Sequence, residues 1–235
     1  MNINLIEFFA DTIVRNSQKI AIIDGEKSVT FSELDIKSRA LAYEIQVCCN
    51  CQNQPIALYL PKCTDAVVGD IAITYSGNAY MNLDVKNPAE RIKNILSLVK
   101  PRAIVTNSMY FEKIREIVSD GFEIINVDEL PSESIPSQDY FLDKLSNIID
   151  CDPYCIINTS GSTGTPKGVV LNHKSFIDFM AQTFDEYHFD SNDVIGSLSP
   201  VIFDIWSYEL CMLMGVGASI VIIPDTYSAF PVKIL

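Results

Sequence analysis

Between Ile20 and Val127, short β-type runs alternate with longer segments whose apolar residues recur at helical spacing, and that alternation leaves few architectures open. The runs are Ile20 to Ile23, Ser28 to Phe31, Ile56 to Leu60, Tyr80 to Leu83, Ala103 to Thr106 and Phe122 to Val127. Helical patterns stand at Asn4 to Arg15, after Thr30, from Asp65 to Thr74, after Asn87-Pro88 and from Tyr110 to Val118. Strands alternating with helices of this length make an α/β fold of layered, largely parallel sheet. Two helix starts carry their own chemistry. Thr30 and Glu33 have the spacing of a capping box. Asn87-Pro88 offers a capping side chain and a proline for the first helical position, and Pro101 stops the helix that follows. From Asp128 to about Asn147 the pattern lapses into Pro, Ser and acidic residues with scattered apolar positions, which reads as a surface connection. Residues 1–130 are therefore expected as a first α/β lobe, 131–150 as the connection, and 151–235 as a phosphate loop with the start of a second lobe.

Seventeen basic against thirty acidic residues give a net charge of −13, which argues against a nucleic-acid partner because such binding rests on clustered Lys and Arg. A nucleotide stays open, since one loop can supply phosphate contacts inside an acidic protein. The N-terminus lacks the basic region of an export signal, and the longest weakly polar run, Leu210 to Ile223, is short for a membrane span. A cytosolic protein with no membrane partner is expected. The seven cysteines are odd in number and irregularly spaced, which is no disulfide framework. Cys48, Cys49 and Cys51 lie close together, but neither His173 nor His188 completes a zinc pattern with them, so reduced packing cysteines and no metal site are expected.

The most informative segment runs from Asn158 to Gly168, between the β-type runs Tyr154 to Ile157 and Val169 to Leu171. Thr159, Ser160, Ser162, Thr163 and Thr165 surround Gly161 and Gly164, and Lys167 follows. Glycines let the backbone turn sharply and let a ligand approach. Successive N–H groups and hydroxyls can then converge on phosphate oxygens, and the lysine adds a compact positive charge. A Walker A loop needs Gly before its lysine and Ser or Thr after it, then a helix. Here Pro166 and Gly168 hold those places and a strand-like run follows, so that reading fails.

This segment resembles the phosphate-loop signature of the adenylate-forming superfamily, which unites acyl-CoA synthetases, luciferases, D-alanine–carrier protein ligases and the adenylation domains of nonribosomal peptide synthetases. The resemblance extends along the chain. Val29 to Leu34 looks like the superfamily's first core motif, Ser76 to Asp84 with Pro88 and Arg91 like its second, and Tyr154 to Gly168 like its third. Phe203-Asp204-Ile205-Trp206-Ser207-Tyr208-Glu209-Leu210 resembles the fourth, with Trp206 where the family usually has Ser. Gly215-Val216-Gly217-Ala218 precedes a strand as it does there. The resemblance implies the α/β sheets of the adenylate-forming N-terminal domain, incomplete here. It also implies a two-step reaction: ATP and a carboxylate give an acyl-adenylate and pyrophosphate, and the acyl group then passes to a thiol, often on a carrier protein.

Carried over by position, Thr159, Ser160, Gly161, Ser162, Thr163, Gly164 and Lys167 hold the β- and γ-phosphates, with Lys167 and Thr163 as catalytic groups. Fixed donors there stabilise charge on the leaving pyrophosphate. Asp204 pairs with the α-ammonium of an amino-acid substrate, and Phe203, Ile205 and Tyr208 wall the pocket. A carboxylate among such residues is costly unless a cation meets it. The competing reading makes Asp204 a helix cap, and the substrate is then an acyl or aryl acid; a third reading is a non-catalytic nucleotide-binding protein. His173 is expected to be structural and His188 to lie at the surface. The superfamily's later motifs, among them the acidic ligand of Mg2+, are not among these residues. They are accordingly expected to be a fragment with little or no adenylation activity alone.

Overall fold

A computed structural model describes residues 2–118, 121–130, 135–160 and 166–227. The elements run α1 (Leu5–Asn16), β1 (Ile20–Asp24), β2 (Lys27–Thr30), α2 (Phe31–Cys49), β3 (Pro55–Leu58), α3 (Thr64–Tyr75) and β4 (Ala79–Asn82). They continue with α4 (Ala89–Val99), β5 (Ala103–Thr106), α5 (Ser108–Ile117), β6 (Glu123–Asn126), α6 (Gln138–Leu145), β7 (Pro153–Ser160) and β8 (Pro166–Asn172). The last are α7 (His173–Tyr187), β9 (Val194–Ser197), α8 (Asp204–Val216) and β10 (Ser219–Ile222). Among the described residues no helix is long and apolar enough to cross a membrane.

Two sheets form, ordered β2-β1-β10-β9 and β6-β5-β3-β4-β7-β8. Both are parallel except for the antiparallel pairs β1–β2 and β7–β8. Helices α2 and α3 touch both sheets, and α1 packs on α2, α3 and α8, so the main core lies in a helical layer between sheets. Ile56 and Leu58 of β3, with Leu60 just beyond it, face this core, whereas Ala57 and Tyr59 face a second cluster with Ile92, Leu96 and Ile114 of α4 and α5. Side chains of a strand alternate between faces, so a central strand covered on both sides reads as one continuous apolar run.

The Thr30 capping box is present in full: Thr30 Oγ1 accepts from Glu33 N at 3.2 Å while Glu33 Oε2 accepts from Thr30 N at 2.8 Å. At α4 the helix starts one residue later than expected. Pro88 is its N-cap, and no side chain caps it. Segment 131–150 differs more. It carries α6, whose Phe141 and Leu145 are buried with Ile148, and Phe141 meets Tyr75 edge-on at 5.4 Å. Scattered apolar positions conceal a helix when only one narrow face is buried. Nor do the sheets divide along lobes 1–130 and 151–235, because β1 pairs with β10 and β4 with β7.

Candidate functional site

The strands on either side of the hydroxyl-and-glycine segment, β7 and β8, pair antiparallel. The register pairs Ile157 with Val169, Thr159 with Lys167 and Ser160 with Pro166. A strand, not a helix, therefore follows the loop. Gly161, Ser162, Thr163 and Gly164 lie outside the described residues. Of their expected companions, Thr159 and Lys167 are exposed at the mouth of the hairpin, and Thr159 Oγ1 donates to Lys167 O at 3.5 Å. Gly168 is needed for packing. A Cβ there would stand 3.1 Å from Ile156 Cγ2 on the paired strand, which would have to give way slightly, and at an ordinary 3.5 Å from Val99 Cγ2 of α4.

Asp204 opens α8, and Phe203, extended at φ −109° and ψ 158°, is the N-cap. The Asp204 carboxylate is no cap; its Oδ1 accepts from the adjacent Ile205 N at 2.9 Å. Together with Ile205 and Tyr208 it lines a cavity of about 300 Å³ whose other walls are Leu171, Ser175, Phe176 and Phe179. Leu171 belongs to β8, so hairpin and cavity share a wall. Lys167 borders a different hollow, against Leu98, Val99 and Val170, so among the described residues Lys167 and Asp204 line different cavities.

Two expectations need correction here. Asp204 is exposed rather than buried, and no basic side chain among the described residues lies within ion-pair distance of it. It stands in the first turn of α8, open to solvent on one side, so the cost of burying a charge does not apply in this chain. Phe203 does not line this cavity. It is 50% exposed and outside the cavity, because an N-cap residue precedes the helical face that Ile205 and Tyr208 share.

Tyr208 donates its hydroxyl hydrogen to Thr183 Oγ1 at 2.8 Å and packs on Phe179 with ring centroids 4.8 Å apart. Burial raises its phenol, partly offset by that hydrogen bond. Ser175, Phe176 and Phe179 were not singled out from the sequence, because α7 itself was not. Its signal is the Asn172 cap, whose Oδ1 accepts from Ser175 N at 2.9 Å, followed by Phe176, Met180 and Thr183 on one buried face. His173 is buried, and its Nδ1 accepts from Leu5 N at 3.3 Å. Burial pushes its imidazole down to about 4, against the pull of Asp152. His188 ends α7 in the left-handed region and is exposed. Cys49 and Cys51 pack against the core, Cys48 is exposed, and all seven cysteines are free. Among the described residues no three His, Cys, Asp or Glu side chains converge in a way that could hold a metal ion.

Residues 9–235 match the family model of the AMP-binding enzyme. Gramicidin S synthase 1 of Brevibacillus brevis is 26% identical over 231 residues, covering 95% of this chain and 20% of the synthase. Zwittermicin A synthase ZmaJ of Bacillus cereus is 25% identical over 229 residues, covering 97% of this chain and 42% of that protein. The adenylation domain AlmE of Vibrio cholerae, solved in complex with glycyl-adenosine-5'-phosphate, superposes with a TM-score of 0.86 at 17% identity, covering all of this chain and 47% of that one. A four-domain nonribosomal peptide synthetase, holo-AB3403, solved bound to AMP and glycine, gives 0.81 at 19% identity over 98% of this chain and 16% of that one. The chain thus spans less than half the length of each of these proteins.

Proposed function

Because this chain belongs to the AMP-binding enzyme family, we propose that it serves an ATP-dependent ligase that activates an amino acid and hands it to a carrier-protein thiol. A carboxylate oxygen of the substrate attacks the α-phosphorus of ATP, the bond to pyrophosphate breaks, and an aminoacyl-adenylate forms. The thiol sulfur then attacks the acyl carbon and AMP leaves. Lys167, the hydroxyls of Thr159, Ser160, Ser162 and Thr163, and the backbone at Gly161 and Gly164 hold the β- and γ-phosphates, where the negative charge of the leaving group grows. Magnesium, expected with ATP, has no donor cluster among the described residues. These residues contribute positioning and charge.

One observation carries the substrate class. Among the described residues, Asp204 is the one charged side chain on a cavity otherwise lined by Leu171, Ser175, Phe176, Phe179, Ile205 and Tyr208. A carboxylate at the edge of an apolar, aromatic hollow suits a ligand with an ammonium at one end and an uncharged side chain at the other. Glycine and its adenylate in AB3403 and AlmE support the same reading. The apolar walls also suit an acyl or aryl acid, which is the second reading.

Pyrophosphate exchange by the full-length gene product, across amino, aryl and fatty acids, tests this. Exchange with one or a few amino acids is expected, and Lys167→Ala lowers kcat on the order of 10²-fold. Exchange with aryl or fatty acids alone selects the second reading, and exchange with no carboxylic acid overturns both. Residues 1–235 by themselves are expected to exchange little or nothing.

A further inference from the structure

Asp70 of α3 is 1% exposed in the core. Its Oδ2 accepts from Trp206 Nε1 at 2.7 Å and from Asn82 Nδ2 at 3.0 Å, and the same Asn82 amide donates to Val201 O at 3.1 Å. Oδ1 is buried with no hydrogen-bond partner. A carboxylate half unsatisfied in an apolar core is costly, and its presence there calls for a physical explanation. Its principal partner is placed where function would be felt. Trp206 and Ser207 sit in the first turn of α8, directly after the cavity residues Asp204 and Ile205. Ser207 is fastened from behind as well, accepting from Tyr80 Oη at 2.7 Å.

We propose that Asp70 is a positioning residue for the Asp204 cavity: through Trp206 its carboxylate fixes the first turn of α8, and one proton gained or lost at Asp70 changes how firmly that turn is held. The link to substrate rests on the reading of Asp204 given above. A hydrogen bond to an ionised carboxylate is roughly twice as strong as a neutral one, so protonation loosens the tie to the indole. On α8 itself, Glu209 lies one turn after Trp206; burial raises its carboxyl too, and its Oε2 accepts from Ser197 Oγ rather than touching the indole. Tyr80 on β4 and Tyr154 and Cys155 on β7 feel its charge, and burial keeps each of them neutral. From α2 the Asp35–Arg39 pair meets α3 at Tyr75, from β1 Asp24 meets it at Thr64, and α1 presents Phe9. No basic group among the described residues forms an ion pair with Asp70. Burial raises its carboxyl to about 7, against the opposing pull of the Trp206 and Asn82 hydrogen bonds, so the switch falls near neutral pH.

Trp206 is the chain's single tryptophan, so its emission reports this contact. In the 235-residue chain, emission followed from pH 5 to 9 is expected to show a one-proton transition near neutrality that Asp70→Asn abolishes and His188→Gln retains. A flat wild-type titration, or an unchanged transition in Asp70→Asn, overturns the proposal. Should circular dichroism show Asp70→Asn unfolded, the indole N–H resonance of wild-type Trp206 decides, moving with the same midpoint if the proposal holds and staying fixed if it does not. In the full-length product, Asp70→Asn is expected to change the KM for the amino acid at least about fivefold at one end of this pH range, with kcat little changed. A KM unaltered at every pH overturns the positioning role. If no acid supports exchange, the proposed function fails while the Trp206 titration still reads the proton switch.

Discussion

Beneath Tyr154 and Phe176, His173 shows how one buried side chain ties stability to pH. Its Nδ1 accepts from the backbone of Leu5, which requires the neutral ring with its proton on Nε2. With the folded imidazole pushed down to about 4, only the unfolded chain takes up this proton between about pH 6.5 and 4. Stability at this site is therefore complete above pH 6.5 and is lost as pH falls through that window, by roughly 3 kcal/mol at most. His173→Gln removes the dependence, so urea unfolding of the two proteins at pH 7 and pH 5 is expected to show the wild type losing more. At Asp204 the magnitude discriminates between two environments. An exposed pair is worth less than about 1 kcal/mol, whereas breaking a covered one costs about 3–5 kcal/mol. The carboxylate is open in this chain, so the larger cost applies only where the ammonium of a bound substrate covers it. Asp204→Asn in the full-length product is accordingly expected to raise KM for an amino acid by about tenfold or more, leaving an aryl acid unaffected. The residue types at Asp204 and Lys167 were legible in the sequence. Their exposure was not, because exposure depends on which elements pack nearby.

Helix α2 shows what local chemistry can announce: Thr30 and Glu33 alone specify its start, because each satisfies the other's backbone N–H. Helices α6 and α7 show the limit. Each has a capping residue, Ser137 and Asn172, yet is recognised by the face it buries, with Phe141 against Tyr75 and Phe176 against Tyr154. The end of α8 is held by a close approach. Gly217 has φ +81°, and a Cβ there would stand 2.6 Å from Asn16 Nδ2 and 3.2 Å from Thr12 Cγ2. Thr12 in turn donates to Met214 O at 2.7 Å, which locks α1 to α8. Gly217→Ala meets both the left-handed penalty and the contact, and is expected to destabilise by about 1–3 kcal/mol, read as a lower urea midpoint with unchanged slope.

Across the whole molecule, the sheets are woven from distant parts of the chain. The early strand β1 lies beside β10, and the hairpin β7–β8 finishes the sheet begun by β3 and β4. Residues 1–130 expressed alone would expose the edges of β1 and β4, and exposed edges invite association. They are expected to lack a cooperative unfolding transition and to aggregate, whereas a 1–130 piece that unfolds as a monomer in one step would restore the lobes read from sequence. The sequence by itself determined the α/β class, most strands and helices, and the strands that flank the hydroxyl-and-glycine segment, because periodicity and caps act within a few residues of one another. Only the tertiary structure decided that each sheet takes strands from both sides of α6, that α7 and β8 complete the Asp204 cavity, and that Asp70 reaches Trp206. Those contacts join separate elements, Asp70 with Trp206 and β1 with β10 from more than a hundred positions away, and are selected by the joint burial of faces that no local pattern encodes.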